Sequence, residues 1–398
     1  MSSFRSRFPI LSRKVNGRPL IYLDNAATTL KPKEVIDSIN EFYCSYTANI
    51  HRGAHILSEK ASNEFENVRQ LVASYLNTSS TNVVFTSGTT EALQLVANGL
   101  GRSGRIKVIS SEAEHHSNLL PWTDGELHLT AVDKFGRISF EQLEEDVRRV
   151  RPDVVCISHA SNVTGNINPV SDIAEMVHRH GALFVVDAAQ SIPHMSVAPE
   201  TIGCDFMAFS AHKMMGPSGV GVLWGTAAAL ERLGTPKRGG GMVNHVAGTT
   251  FVPREIPWRF EAGTPNIEGV IGLGAALRLL MEGNQRHFSD HQQHLSRKLS
   301  ALVAENTYLI PLGDFDQNHR LSLVSFALRK KNVHSDQFAR ILSDSFGIMA
   351  RSGSLCAHPL FKRMGFQDAV RISAYHYNTL EELEQLRTAL ADLSKLFG

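Results

Sequence analysis

Lys213 ends the run Phe206-Met-Ala-Phe-Ser-Ala-His-Lys, just past an apolar stretch and ahead of a Gly216-Pro217 turn. A lysine lowered into a site at a strand end is partly desolvated, which depresses its pKa. That is the condition for an amine to form a Schiff base with an aldehyde. A turn lysine taken alone is more often a solvated surface group. Three more apolar runs end in reactive residues, and they change that balance. Val185-Val186 is followed by Asp187, and a carboxylate after a buried run is costly unless paired. Capping the next helix is its plainer role; pairing with a protonated pyridine nitrogen is the chemical one.

Thr86-Ser87-Gly88-Thr89-Thr90-Glu91 joins a predicted strand to a predicted helix. Its backbone N–H groups and hydroxyls at a helix start form a phosphate cradle, although Ser/Thr-rich caps are common. Glu114-His115-His116-Ser117-Asn118 follows the run ending at Ser110 and offers an imidazole to a flat ring, where a bland His pair would only cap or face solvent. A lysine, a carboxylate, a phosphate cradle and an imidazole at the strand ends of one sheet converge on pyridoxal 5′-phosphate.

The elements that must position these groups are legible as alternation. Apolar runs at Val83–Thr86, Ile106–Ser110, Leu127–Val132, Val154–Ser158, Leu183–Val186, Phe206–Ser210 and Val220–Trp224 are separated by helical signatures. Ser139 and Gln142 form a capping box ahead of Leu143–Val150, and Ser171 precedes a helix over Ile173–His180. Strands alternating with helices predict an α/β fold, a largely parallel sheet covered on both faces, with ligands at its carboxyl edge. Residues 234–270 turn rich in Gly, Pro and Thr and lead into a connecting helix, Glu268–Met281. A helix over 286–305, a strand over Leu321–Ala327, a helix from Ser335 and a strand pair near 348–352 and 369–374 follow. The last helix is boxed by Thr379 and Glu382. This is a smaller α+β domain.

Length and composition agree. A chain of 398 residues favours two or three domains, and 42 % apolar with 20 % charged residues excludes disorder. Forty Lys and Arg against 39 Asp and Glu leave a net charge of +1, which removes the electrostatic case for nucleic acid or membrane partners. The first twenty residues read as no secretory signal and no membrane span fits. Four scattered cysteines form no disulfide framework, so a reducing cytoplasm is the default. Cys156 and Cys204 read as small buried hydrophobes. Cys356 differs, because Gly353, Ser354 and Ala-His-Pro place it in a polar turn near Arg351. His287, His291 and His294 share a helical face that reads as solvated, and no metal site is expected. His51 and His55 read as active-site loop residues.

The order of these motifs resembles the pyridoxal-phosphate-dependent class V aminotransferase family, of the group II cysteine desulfurase and selenocysteine lyase type. Tyr22-Leu-Asp-Asn-Ala-Ala-Thr28, Ser87-Gly-Thr-Thr-Glu91, Asp187-Ala-Ala-Gln190, Ser210-Ala-His-Lys213, Arg259-Phe-Glu-Ala-Gly-Thr-Pro-Asn266 and Arg351-Ser-Gly-Ser-Leu-Cys-Ala357 carry the likeness. The resemblance implies fold type I, with residues 1–20 packing on the small domain, 21–265 as the large cofactor domain, and 266–398 as connecting helix and small domain. It makes Lys213 the Schiff-base lysine, with Asp187 on the pyridine nitrogen, Gln190 on the ring hydroxyl and His115 stacked on the ring. Thr89, Thr90, Ser210 and His212 would hold the phosphate, and Thr264 the phosphate of a neighbouring subunit in a homodimer. Asn162, Arg351, Arg371 and His51 would meet the substrate. Cys356 would take sulfur from L-cysteine as a persulfide for an acceptor protein or small molecule, leaving L-alanine. Selenocysteine lyase, cysteine sulfinate desulfinase and direct C–S lyase are the alternatives on this scaffold. Two departures are visible: Ser354-Leu355 replaces the bulky polar or His pair often found before the cysteine, and the Pro121–Gly125 segment is short.

Overall fold

The computed structural model describes residues 2–101, 104–283, 285–315, 320–330 and 333–397, apart from the side chains of residues 2–3 and 285–287. Seven strands form the central sheet: β1 Val83–Thr86, β2 Lys107–Ser111, β3 Glu126–Thr130, β4 Val154–Ser158, β5 Leu183–Asp187, β6 Phe206–Ser210 and β7 Gly221–Gly225. Their order across the sheet is β1-β7-β6-β5-β4-β2-β3. The five strands from β6 to β3 run parallel. β7 alone is reversed, lying antiparallel to both β6 and β1. Every residue of β4, β5 and β6 is buried, which is why these runs read as continuously apolar rather than alternating. One face of the sheet packs on the helices Ile56–Leu76 and Ile267–Glu282, the other on Thr89–Leu100. The α/β class with a mostly parallel sheet is the one the sequence predicts.

Helix starts follow local chemistry. Ser139 Oγ accepts the Gln142 N–H at 3.2 Å, and the hydroxyl also meets the Glu141 carboxylate. The helix expected from Ile173 starts earlier, at Val170, with Pro169 as its N-cap and Ser171 inside the first turn. Proline fixes the φ that a helix entry needs and has no N–H to leave unpaired there.

A second sheet has four strands: β8 Leu309–Leu312, β9 Leu323–Leu328, β10 Arg351–Gly353 and β11 Ala369–Ser373, in the order β8-β9-β11-β10 and all antiparallel. Strand β8 is absent from the sequence reading, since Leu-Ile-Pro-Leu is short and half-buried. Helices Gln285–Ala304, Ser335–Phe346 and Leu380–Phe397 share a core with this sheet. The last is closed by a reciprocal box: Thr379 Oγ1 accepts the Glu382 N–H at 3.3 Å and Glu382 Oε2 accepts the Thr379 N–H at 3.1 Å. Ile21–Tyr22 pairs in parallel with Ile348–Met349, so Ile21 and Leu23 join this second core, while Phe8 and the helix Ile267–Glu282 belong to the first.

The histidine-bearing helix corrects one expectation. His294 is exposed, but His291 Nε2 donates to the Asn378 carbonyl at 2.8 Å, so part of that face packs against the chain after β11 instead of water. The side chain of His287 lies outside the described residues. Among the described residues no helix is long and apolar enough to cross a membrane, and no group of three or more His, Cys, Asp or Glu is arranged to hold a metal ion.

Candidate active site

Reversal of β7 brings its first residue, Gly221, beside the last residues of two strands at once. Gly221 pairs with Thr86 at the end of β1 and with Ser210 at the end of β6. A Cβ on Gly221 would stand 2.4 Å from Gly88 Cα, so only glycine lets the turn after β1 close over the sheet edge. Across that gap Ser210 Oγ accepts the Thr89 N–H at 2.8 Å and meets Thr89 Oγ1 at 2.7 Å. The helix Thr89–Leu100 has no side-chain cap, and its first-turn N–H groups lack intrahelical partners. Its dipole and these donors suit an anion. Thr90 Oγ1 meets Ser117 Oγ at 2.8 Å, joining this cradle to the turn that carries His115.

Lys213 sits in the short turn Ala211–Lys213 after β6. The carbonyl of the preceding residue, His212, is clamped by four donors: the Thr29 N–H, the Thr28 and Thr29 hydroxyls and Lys31 Nζ, all at 3.0 to 3.1 Å. Sequence reasoning misses this clamp, although its residues close and follow the Tyr22–Thr28 motif. Burial pulls Lys213 down to about 8, against the opposing pull of Asp187, with Arg371 lowering it further. His212 falls to about 4 and Lys31 to about 8, both chiefly through burial. Asp187, last in β5, is buried, and burial raises its pKa while Lys213 and the Ala189 N–H, accepted by Oδ1 at 2.9 Å, hold it back.

His115 Nδ1 accepts the Ser117 N–H at 3.1 Å, which leaves the ring proton on Nε2. Burial, then Lys213 and His116, push its pKa down to about 3, so this imidazole is neutral. Its turn is held by Glu114, a buried carboxylate that accepts from Ser111 Oγ, Asn118 Nδ2 and both the N–H and the hydroxyl of Ser158. Cys156, as expected, is buried, with Sγ against Asn118 Oδ1 at 2.6 Å; burial and the nearby carboxylates push its thiol up. Cys204 is buried as well.

Cys356 is exposed and free. It and Leu355 both adopt left-handed backbone, with φ of 55° and 51°, a conformation costly for residues with a Cβ. Three contacts hold this loop: the His116 N–H to the Cys356 carbonyl at 2.8 Å, the Ala357 N–H to the Ser354 carbonyl at 3.0 Å, and Asn162 Nδ2 to the Leu355 carbonyl at 2.8 Å. His358, two residues on, stacks on His116 with ring centroids 4.8 Å apart.

A single cavity of about 560 Å³ is lined by every expected site residue except two. Gln190 is present, its Nε2 turned to the Ala26 carbonyl at 2.9 Å. The exceptions are His51 and Thr264. His51 lies 3.8 Å from the Glu66 carboxylate with its ring edge-on to Phe65, and Thr264 is exposed on the loop after Phe260. That loop is anchored by a buried ion pair, Arg69 Nη1 to Glu261 Oε1 at 2.6 Å, with Glu261 Oε1 also accepting the Phe85 N–H.

The fold and this cavity define a class. Residues 21–386 match the family described as Aminotransferase class-V, and the chain belongs to it. Within the family, a probable cysteine desulfurase of Halalkalibacterium halodurans is 40 % identical, the match covering 98 % of this chain and 97 % of the relative. A cysteine desulfurase of Shigella flexneri is 38 % identical, with 99 % and 98 % covered. Among solved structures, the apo cysteine desulfurase of Thermococcus onnurineus superposes with a TM-score of 0.92 at 35 % identity, covering 100 % of this chain and 98 % of that one. A cysteine desulfurase of Escherichia coli gives 0.89 at 30 % identity, covering 100 % and 99 %.

Proposed function

We propose that this protein is a pyridoxal-phosphate-dependent cysteine desulfurase that converts L-cysteine to L-alanine and holds the sulfur as a persulfide on Cys356. The observation that carries the reading is an exposed free thiol lining the cavity that also holds Lys213, Asp187 and Arg371. The residues fit the cofactor. Asp187 is a buried carboxylate with no side-chain cation paired to it among the described residues, and a protonated ring nitrogen supplies that cation. Thr89, Thr90, Ser210 and His212 would hold the phosphate, Gln190 the ring hydroxyl and His115 the ring face.

Pyridoxal phosphate, when bound, supplies an electron sink for charge developing at the substrate Cα. The chain supplies the rest. Lys213, pulled to about 8, takes and returns a proton near neutral pH. Neutral His115 offers its Nε2–H as a donor without adding charge. Arg371, with Asn162 and Arg351, binds the substrate carboxylate, since a guanidinium fork matches two oxygens. The Cys356 thiolate forms a bond to the substrate sulfur as the Cβ–S bond breaks, and an acceptor thiol on a protein or small molecule later removes that sulfur.

The protein acts as a homodimer on this reading. Ile36, Tyr43, Ile56 and Leu57 are large exposed apolar side chains, as are Val246 and Val252 on the hairpin of Val243–Ala247 and Thr250–Pro253. Arg52 Nη2 donates to the Val243 carbonyl at 3.1 Å, bringing that hairpin beside the start of the Ile56 helix. Exposed Thr264 would then serve the partner's phosphate. Four free cysteines fit a cytoplasmic location. The deciding experiment incubates the pure, cofactor-loaded protein with L-cysteine, with and without a thiol reductant. Alanine and sulfide in equal amounts under reductant support the reading; pyruvate and ammonia as the products overturn it.

A further inference from the structure

Two guanidinium groups stand opposite each other at the substrate end of the cavity. Arg351 on β10 pairs in register with Arg371 on β11, and like charges in that relation repel. A third residue holds them together. Asp24 Oδ2 lies 2.8 Å from Arg351 Nη2, and Oδ1 lies 3.4 Å from both Arg351 Nε and Arg371 Nη2. Asp24 reaches them because its backbone bridges in parallel to Ser373, at the end of β11. Its side chain is 13 % exposed, that of Arg371 4 %.

Arg371 keeps one N–H on each terminal nitrogen for a ligand. Nη1 donates to the Asn162 carbonyl at 3.0 Å, while Nε is buried with no partner among the described residues. A buried guanidinium donor without a partner is unfavourable, and the Asp24 carboxylate beside Nη2 offsets part of that cost. Two cations and one anion leave this end with a net charge of +1. That balances one α-carboxylate and nothing more.

We propose that Asp24 is a positioning residue that sets the charge this end accepts, favouring an amino acid with one carboxylate over one whose side chain carries a second anionic group. The inference rests on the desulfurase reading for its substrate and acts through Arg351 and Arg371. Without the Asp24 charge, a second cationic unit faces the cavity and a sulfinate or carboxylate side chain gains.

The test compares kcat/KM for L-cysteine sulfinate and L-cysteine in the wild type, Asp24→Asn, Asp24→Glu and the double variant Asp24→Asn with Arg351→Gln. The ratio is independent of how much of a variant folds. It rises roughly tenfold in Asp24→Asn, as one uncompensated charge in a half-buried site requires. It returns towards the wild-type value in Asp24→Glu and in the double variant, where the net charge is +1 again. An unchanged ratio in Asp24→Asn, or an equal rise in all three variants, overturns the proposal. Equilibrium binding of L-aspartate against L-alanine reads the same preference without sulfur chemistry. A wild type that releases no sulfur therefore sinks the desulfurase reading, while the binding ratio still decides the role of Asp24.

Discussion

Asn162 Nδ2 donates to the Leu355 carbonyl, one residue before the reactive thiol, while the Asn162 carbonyl accepts from Arg371. One residue therefore touches both the carboxylate-binding arginine and the loop that presents Cys356. A side-chain amide has two N–H donors, so holding Leu355 leaves one for a substrate carboxylate.

Asn162→Asp puts an acceptor where the loop needs a donor, which costs about 1–3 kcal/mol. The expected result is a ten- to hundredfold fall in kcat/KM, with faster alkylation of Cys356 by iodoacetamide in the absence of substrate. An alkylation rate equal to the wild type's would show that this bond does not restrain the loop.

Lys213→Ala is expected to abolish turnover and the visible absorption that its bond to the cofactor gives, because among the described residues no other lysine lines the cavity. A variant that keeps both that absorption and alanine production removes Lys213 from the mechanism.

Cys356→Ala leaves Lys213, Asp187 and Arg371 untouched. It should bind the cofactor and L-cysteine normally, as read by spectral titration, yet release little alanine or sulfide. Cysteine sulfinate should still react, since its leaving group departs without a thiolate. Full cysteine activity in this variant would reassign the protein as a direct C–S lyase.

In the cofactor-free protein the folded Lys213 titrates near 8 against 10.5 when unperturbed. Between those values the unfolded chain binds more protons, so stability rises with pH across that window, by at most about 3 kcal/mol. Lys213→Met removes that slope. Urea melts of both proteins at pH 8 and pH 10 measure it, and identical slopes would mean the lysine is solvated.

Glu261→Gln strands Arg69, which is 2 % exposed. Removing one partner of a buried pair costs about 3–5 kcal/mol, although Glu66, 2.8 Å from Arg69 Nε, softens the loss. The measurement is again a urea melt. Loss of cofactor affinity in the dimer, beyond the loss of stability, would place Thr264 at the partner's site.

How much of this was legible follows from what each residue depends on. Lys213, Asp187 and Thr89 were readable because a buried strand writes itself as an apolar run and the reactive residue follows it directly. Their convergence depends only on sheet order. Reversal of β7 was not readable: Gly221-Val-Leu-Trp-Gly is as apolar as its parallel neighbours, and direction leaves no mark on composition. The hold of Asn162 on Leu355, Asp24 between its arginines and the four donors on His212 join residues far apart in the chain, and no local pattern announces such contacts. The motif alone points His51 at the cavity, whereas Phe65 and Glu66 hold it outside the lining. Strand β8 was lost to brevity and to Pro311.

The left-handed turn that exposes Cys356 has a bearing on supply. Each chain offers this one thiol in its cavity, and a thiol already carrying sulfur cannot accept another. On the proposed reading, output is then paced by unloading, so a protein waiting for an acceptor falls idle with its cysteine pool untouched. Delivery on this reading follows the supply of acceptor thiol.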